Sequence, residues 1–208
     1  MGCPILPMNR VFDPDRKVGR ESRKAYAARC ESGFWDRWLR DPPVLDLGYR
    51  GGLADALPIV AAAIGFEIGT PGYDGRRLPF RDGTVGTVFN SHLLEHLKDP
   101  IWHLREWFRV LRVGGTLVLM VPHAFLYERR LTVPPSRFSG EHLRSYTPAM
   151  LLAEIERALI PNTYRVRHLA DVDIGYDYGL LSEIHPTGCF EIELVIERIV
   201  PPAWSVET

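Results

Sequence analysis

Two acidic residues bracket a cluster of glycines in the first third of the chain. Asp46 lies inside the apolar run Val44-Leu45-Asp46-Leu47, which leads directly into Gly48-Tyr49-Arg50-Gly51-Gly52, and Glu67 ends a second run, Ala63-Ile64-Gly65-Phe66. Glycines in such a turn let backbone approach a ligand closely, and open α/β sheets bind ligands at the carboxyl ends of their strands. A carboxylate after the second strand can accept hydrogen bonds from a ribose diol. Nucleotide-binding α/β sites begin in this way. Histidines supply a second kind of chemistry, because an imidazole titrates near neutrality and can take or give a proton. His92 follows a third apolar run, Val85 to Phe89, and is a candidate base or substrate contact, with a helix cap as its structural role. His96 is expected to pack. His123 and Tyr127 follow a fourth run, and His142 lies in the polar stretch Glu141 to Thr147, which is able to close over a substrate.

Those residues need elements to hold them. Tyr26, Cys30, Phe34 and Trp38 recur every four positions and predict an amphipathic helix over about residues 20 to 39, with Arg16, Lys17, Arg20, Arg23 and Lys24 on its polar side. Asp99-Pro100 is a helix-start signal, followed by the stripe Ile101, Leu104, Phe108 and Leu111, with Gly114-Gly115 as the expected stop. The continuously apolar stretch 116–121 reads as a central strand covered on both faces. Thr147-Pro148 opens a further helix with Leu151, Leu152, Ile155 and Leu159 on one side. Residues 164–169 and 189–200 read as two closing strands. In the last of these, Phe190, Ile192, Leu194 and Ile196 alternate with Glu191, Glu193 and Glu197, the pattern of an antiparallel edge region.

Three more runs complete a recognisable set: Leu78-Pro79-Phe80-Arg81-Asp82-Gly83, Asn90-Ser91-His92-Leu93-Leu94-Glu95-His96-Leu97, and Arg109-Val110-Leu111-Arg112-Val113-Gly114-Gly115. In this order, over about residues 43 to 125, the chain resembles the class I S-adenosylmethionine-dependent methyltransferases. The resemblance implies an α/β, Rossmann-like methyltransferase fold of about seven mostly parallel strands with an antiparallel C-terminal hairpin and helices on both faces. It implies S-adenosylmethionine as cofactor and no metal. Asp46 would order the glycine turn beside the methionyl amine, Gly48, Gly51 and Gly52 would offer bare backbone, and Glu67 would hold the ribose hydroxyls. Asp74 would meet the adenine amine, with Leu78, Asn90 and His92 also on the cofactor side. His92, His123 and His142 are the candidate catalytic residues. In this organisation residues 1–42 form a helical extension or lid, 43–125 the cofactor-binding core, and 126–208 a substrate-side insertion and the closing strands, all in one domain.

The chain departs from the family pattern at several places. Tyr49-Arg50 stands where Cys-Gly is usual, which puts Arg50 in position to pair with the methionyl carboxylate. Pro58 falls where the first helix is expected and predicts a short or broken one. The short gap between Glu67 and Asp74 leaves no room for the usual helix and strand, so the sheet is expected to lose a strand, and Gly86 replaces an aspartate. A non-catalytic relative acting as a binding or partner protein is therefore the alternative reading. A remote one is a zinc peptidase, since His92-Leu93-Leu94-Glu95-His96 matches the inverted H-x-x-E-H pattern, with Glu154 or Glu156 as third ligand.

Composition bounds the rest. A chain of 208 residues with 46% hydrophobic and 25% charged content suits one globular domain. A net charge of -1 argues against a broad electrostatic grip on nucleic acid. Cys3, Cys30 and Cys189 are too scattered for a disulfide framework, Leu6 breaks the myristoylation pattern, and no stretch is long and apolar enough to span a membrane, so a cytoplasmic protein is expected. The long stretches 127–146 and 171–188 are expected to serve the acceptor, with Arg129, Arg130 and Arg137 suiting an anion and Asp171, Asp173 and Asp177 a polyhydroxylated compound. A small polar acceptor, such as a sugar or surface-glycan precursor hydroxyl, is the expected methyl recipient.

Overall fold

The apolar runs form one mixed sheet. β1 (Val44–Leu47), β2 (Ala63–Phe66), β3 (Val85–Ser91), β4 (Leu111–Pro122), β5 (Tyr164–Val172) and β6 (Glu191–Arg198) give a six-stranded sheet in the order β2-β1-β3-β4-β6-β5. The first four strands are parallel, and β6 pairs antiparallel with both β4 and β5. The computed structural model describes residues 13, 15–39, 41–130 and 136–204. Leu6 and Cys3 lie outside that set, as does part of the 127–146 stretch. The sheet has six strands rather than about seven because the chain turns tightly through residues 67–78 where a helix and strand would otherwise stand.

Side chains alternate across a pleated sheet, and both faces here are covered. On one face Leu45, Leu47, Leu117 and Leu119 meet Leu104 and Trp107 of α4 (Pro100–Val110) and Leu151 and Ile155 of α6 (Pro148–Ala158). Asp99 and Thr147 cap these helices by accepting from Trp102 N and Met150 N, with a proline in each first turn. α4 stops at Val110, short of the glycines, because Leu111 is already extended and opens β4. Arg109 and Glu106 of α4 also secure the 78–83 loop: Arg109 donates to Phe80 O and to Asp82, and Glu106 accepts from Leu78 N at 2.8 Å.

On the other face Val44, Phe89, Val118, Met120 and Val195 pack against Tyr26, Phe34, Trp35 and Leu39. The expected single helix over 20–39 is three short ones, α1 (Arg20–Arg23), α2 (Tyr26–Glu31) and α3 (Phe34–Trp38), since Gly33 adopts φ 70° and breaks the run. They occupy ground left vacant by the β1–β2 connection, which contains Pro58 and forms turns and bends rather than a helix from Leu53 to Ala62. Arg16 Nε donates to Pro58 O and Leu57 N to Lys17 O, strapping that connection to the chain before α1.

The last strand is not an edge. β6 lies between β4 and β5, and Glu191 and Glu193 are buried at 0% and 5% exposure rather than solvated. Arg29 of α2, itself 3% exposed, donates through Nε to Glu193 Oε1 at 2.6 Å and through its Nη2 to Glu191. Arg29→Met removes the guanidinium that both carboxylates share, and breaking a buried pair costs about 3–5 kcal/mol. Urea denaturation should show a loss of that size, with more than half recovered when Glu191→Gln and Glu193→Gln are added.

Asp46 is fully buried beneath the glycine turn, and its Oδ2 accepts from Ile59 N at 2.6 Å. Burial, only partly offset by that bond, pushes its carboxyl up to about 7. The folded chain therefore holds this proton where the unfolded chain has lost it, and the group's contribution to stability falls as pH rises from about 4 to about 7. Urea stability of Asp46→Asn over that interval should lack this component, so that wild type loses stability relative to the variant as pH rises.

Candidate functional site

The carboxyl ends of β1, β2 and β3 open into a cleft of about 650 Å³, a volume typical of small-molecule sites. Gly48, Gly51 and Gly52 form one wall, and all three have positive φ, at 71°, 51° and 78°. Gly48 N donates to Phe66 O, which ties the turn to the end of β2. A side chain at Gly52 would meet nothing within 4 Å, so this backbone faces open space. Glu67 borders the same cleft and accepts from Arg50 N at 2.7 Å through Oε1.

Residues from elsewhere close the cleft. Arg20 and Glu21 of α1 line it, and Gly19 lies so near Tyr49 O that an added Cβ would sit 2.9 Å away. The opposite wall is Tyr127 with Ser139, Glu141, His142, His185 and Phe190. The stretches 136–146 and 171–188 are held to their surroundings by arginine: Arg129 donates to Leu181 O at 2.9 Å and Arg137 to Ser182 O at 2.6 Å. Arg129 and Arg137 thus staple loops together rather than project towards an acceptor.

His92 sits at the floor with φ 52°, an unusual backbone for a residue other than glycine. Its Nε2 lies 3.0 Å from Glu191 Oε1 and its Nδ1 3.5 Å from Glu95 Oε1. Burial opposes its charge, but the bond to Glu191 and the field of the two carboxylates outweigh this and raise its pKa. Arg29 and His92 in turn hold the Glu191 carboxyl well below its usual range against burial. His142 differs, because burial and the neighbouring His96 and His92 push it down to about 4, leaving a neutral imidazole against Tyr127 at a ring separation of 5.1 Å. Burial raises the Glu95 carboxyl, whose two oxygens have no hydrogen-bond partner.

Of the residues singled out from sequence, Gly48, Gly51, Gly52, Glu67, His92 and His142 converge on this cleft. Asp46 is buried, does not line the cleft, and accepts from Ile59 N in the β1–β2 connection. Arg50 is exposed, its Nε donating to Tyr49 Oη at 3.1 Å, and it does not line the cleft. Asp74 and Leu78 border a separate, smaller depression, where Asp74 Oδ1 accepts from Arg76 N and Arg77 N. Asn90 is buried within β3, its amide atoms unpartnered. His123 lies apart: Nδ1 accepts from Phe125 N to cap α5 (Ala124–Tyr127), Nε2 is 3.6 Å from Asp171, and burial lowers its pKa. Sequence reasoning missed Glu21, His185 and above all Glu191, whose alternating pattern reads as solvent-facing unless α2 is known to cover that side.

The peptidase geometry is not formed. His92 and His96 do not share a helix, because the chain makes only a three-residue 3₁₀ turn over Leu94–His96, and Glu154 accepts from Tyr146 Oη.

Known proteins resemble this chain in sequence and in fold. Residues 70–119 match a family described as "Methyltransferase domain". A protein of Mycolicibacterium smegmatis named "Probable S-adenosylmethionine-dependent methyltransferase" is 33% identical over 110 residues, 50% of this chain and 42% of its own length. A demethylmenaquinone methyltransferase of Streptomyces griseus is 46% identical over 46 residues, 22% of this chain and 20% of its own. The aligned segment thus spans less than half the length of either relative. In fold, the chain is similar to a SAM dependent methyltransferase from Aquifex aeolicus, with TM-score 0.54, 17% identity, and coverage of 90% of this chain and 100% of that one. The glycine turn, the ordered runs and the sheet they build are similar to those of the class I S-adenosylmethionine-dependent methyltransferases.

Proposed function

We propose that the chain binds S-adenosylmethionine in the cleft beside the glycine turn and transfers its methyl group to a small polar acceptor. The observation that carries this reading is the convergence of Gly48, Gly51, Gly52 and Glu67 on one cleft at the carboxyl edge of the parallel strands. The residues present fit such a ligand: bare backbone at Gly52 admits close approach, and Glu67 keeps Oε2 free of the Arg50 bond for a ribose hydroxyl. When bound, S-adenosylmethionine supplies an electrophilic methyl carbon on a sulfonium.

The protein's own part is to hold and orient. Arg20 and Glu21 border the cleft from the N-terminal layer, where they would help orient a bound ligand. His142, a neutral imidazole on the cleft wall, is the group able to accept a hydrogen bond from an acceptor, while His92 is held between Glu191 and Glu95 and serves as a fixed part of the floor. The polar wall of Ser139, Glu141 and His185 suits a hydroxylated acceptor such as a sugar or glycan precursor.

A non-catalytic role follows if the missing helix after β1 has cost the site its ligand. Calorimetric titration with S-adenosylmethionine separates the two. Micromolar binding is expected, weakened about 10–100-fold in Glu67→Ala, the cost of a hydrogen bond to a charged group. Folded protein that binds neither S-adenosylmethionine nor S-adenosylhomocysteine would leave the non-catalytic reading.

A further inference from the structure

We propose that Glu95, His96 and His142 form a site for one divalent metal ion of zinc-like preference in the floor of the cleft. One ligand atom from each lies within 4.8 Å of the others. Glu95 Oε1 is 3.8 Å from His96 Nε2 and 4.0 Å from His142 Nε2. Bonds of about 2.0–2.1 Å around a tetrahedral zinc set ligand atoms about 3.4 Å apart, so the carboxylate need approach each imidazole by only about half an ångström.

Hydrogen bonding already directs the donors inward. His96 Nδ1 lies 3.1 Å from Glu141 O, which makes it the N–H donor and leaves the Nε2 lone pair on the Glu95 side. Both oxygens of Glu95 are buried without a hydrogen-bond partner. Glu95 itself is 0% exposed. A buried carboxylate with neither oxygen satisfied is costly, and a cation removes that cost. His92, fixed through Glu191, stands 3.5 Å from Glu95 Oε1 and is a positioning residue for it.

The loop that carries His142 is pinned across from Glu95. Leu143 N donates to Glu95 O at 2.9 Å and Arg144 Nη1 to Leu94 O at 3.0 Å. The set therefore draws its third ligand from this loop, whereas the peptidase pattern uses His92 and a glutamate of α6. Two imidazoles and one carboxylate make an open zinc site, with a fourth position left for water or substrate, whereas calcium and magnesium require more oxygen ligands. His96 and His142 both line the cleft, so that position is reached from it. Resting on the methyltransferase reading, the bound ion would hold an acceptor hydroxyl and make it more acidic.

Zinc titration of the chelator-treated full chain against a chromophoric competitor tests the site, with cobalt spectra as a second readout and circular dichroism to verify folding. One ion per chain is expected, with binding weakened about 100-fold or more in His142→Ala and in Glu95→Gln, since even outer-shell substitutions cost about 10–100-fold. If Glu95→Gln fails to fold, His142→Ala and His96→Ala decide. Folded wild type without saturable binding, or undiminished binding in His142→Ala and His96→Ala, would overturn the proposal. Cofactor affinity is measured separately without metal, so either reading can fail alone.

Discussion

A buried guanidinium joins the three parts of this protein. Arg29 comes from the N-terminal layer, Glu191 and Glu193 from the strand between β4 and β5, and Glu191 passes the connection on to His92 at the end of β3. Each charge would be expensive alone in the interior, so none of the three segments can shift without exposing or orphaning another's partner. The cleft floor is thereby indexed to the helices that close the cleft from above. His168 adds a fourth attachment, its Nε2 2.9 Å from Glu193 Oε2, which draws in the edge strand β5.

Around that linkage the chain is compacted. The β1–β2 connection has no helix, and Trp35, Tyr26 and Leu39 fill the face such a helix would cover. Two departures from the family pattern become intelligible as close approaches. A Cβ at Gly86 would sit 2.0 Å from Asp41 O, so the chain leaving α3 crosses β3 where an aspartate has no space. Tyr49 replaces a small residue because its ring lies over Gly65, whose Cβ would fall 2.6 Å from that ring. Bulk gained in the turn is matched by bulk lost on the neighbouring strand.

Much of this architecture was legible in the sequence because its signals are local. The apolar runs, the Asp99-Pro100 and Thr147-Pro148 helix starts, and the short gap that removes one strand all act through neighbouring residues. What misled was tertiary. The four-residue spacing of Tyr26, Cys30, Phe34 and Trp38 continues through Gly33, so periodicity alone does not reveal the break. Glu191 and Glu193 alternate with apolar residues as solvent-facing residues do, and only the arrival of Arg29 from far along the chain makes them interior. The histidines were visible as chemistry but not as partners, since His142 meets His96 and Glu95 through a loop whose path no short-range pattern encodes.

In the proposed reading one cleft, walled by the glycine turn and Glu67 and bordered by α1 and the His142 loop, is the cofactor site of a methyltransferase. A crystal structure with S-adenosylhomocysteine tests it most directly. The ribose hydroxyls are expected on Glu67, the methionyl portion along Gly48 to Gly52, and the sulfur directed towards the His92 and His142 side. Ligand seated away from the glycine turn, with Glu67 uninvolved, would contradict it.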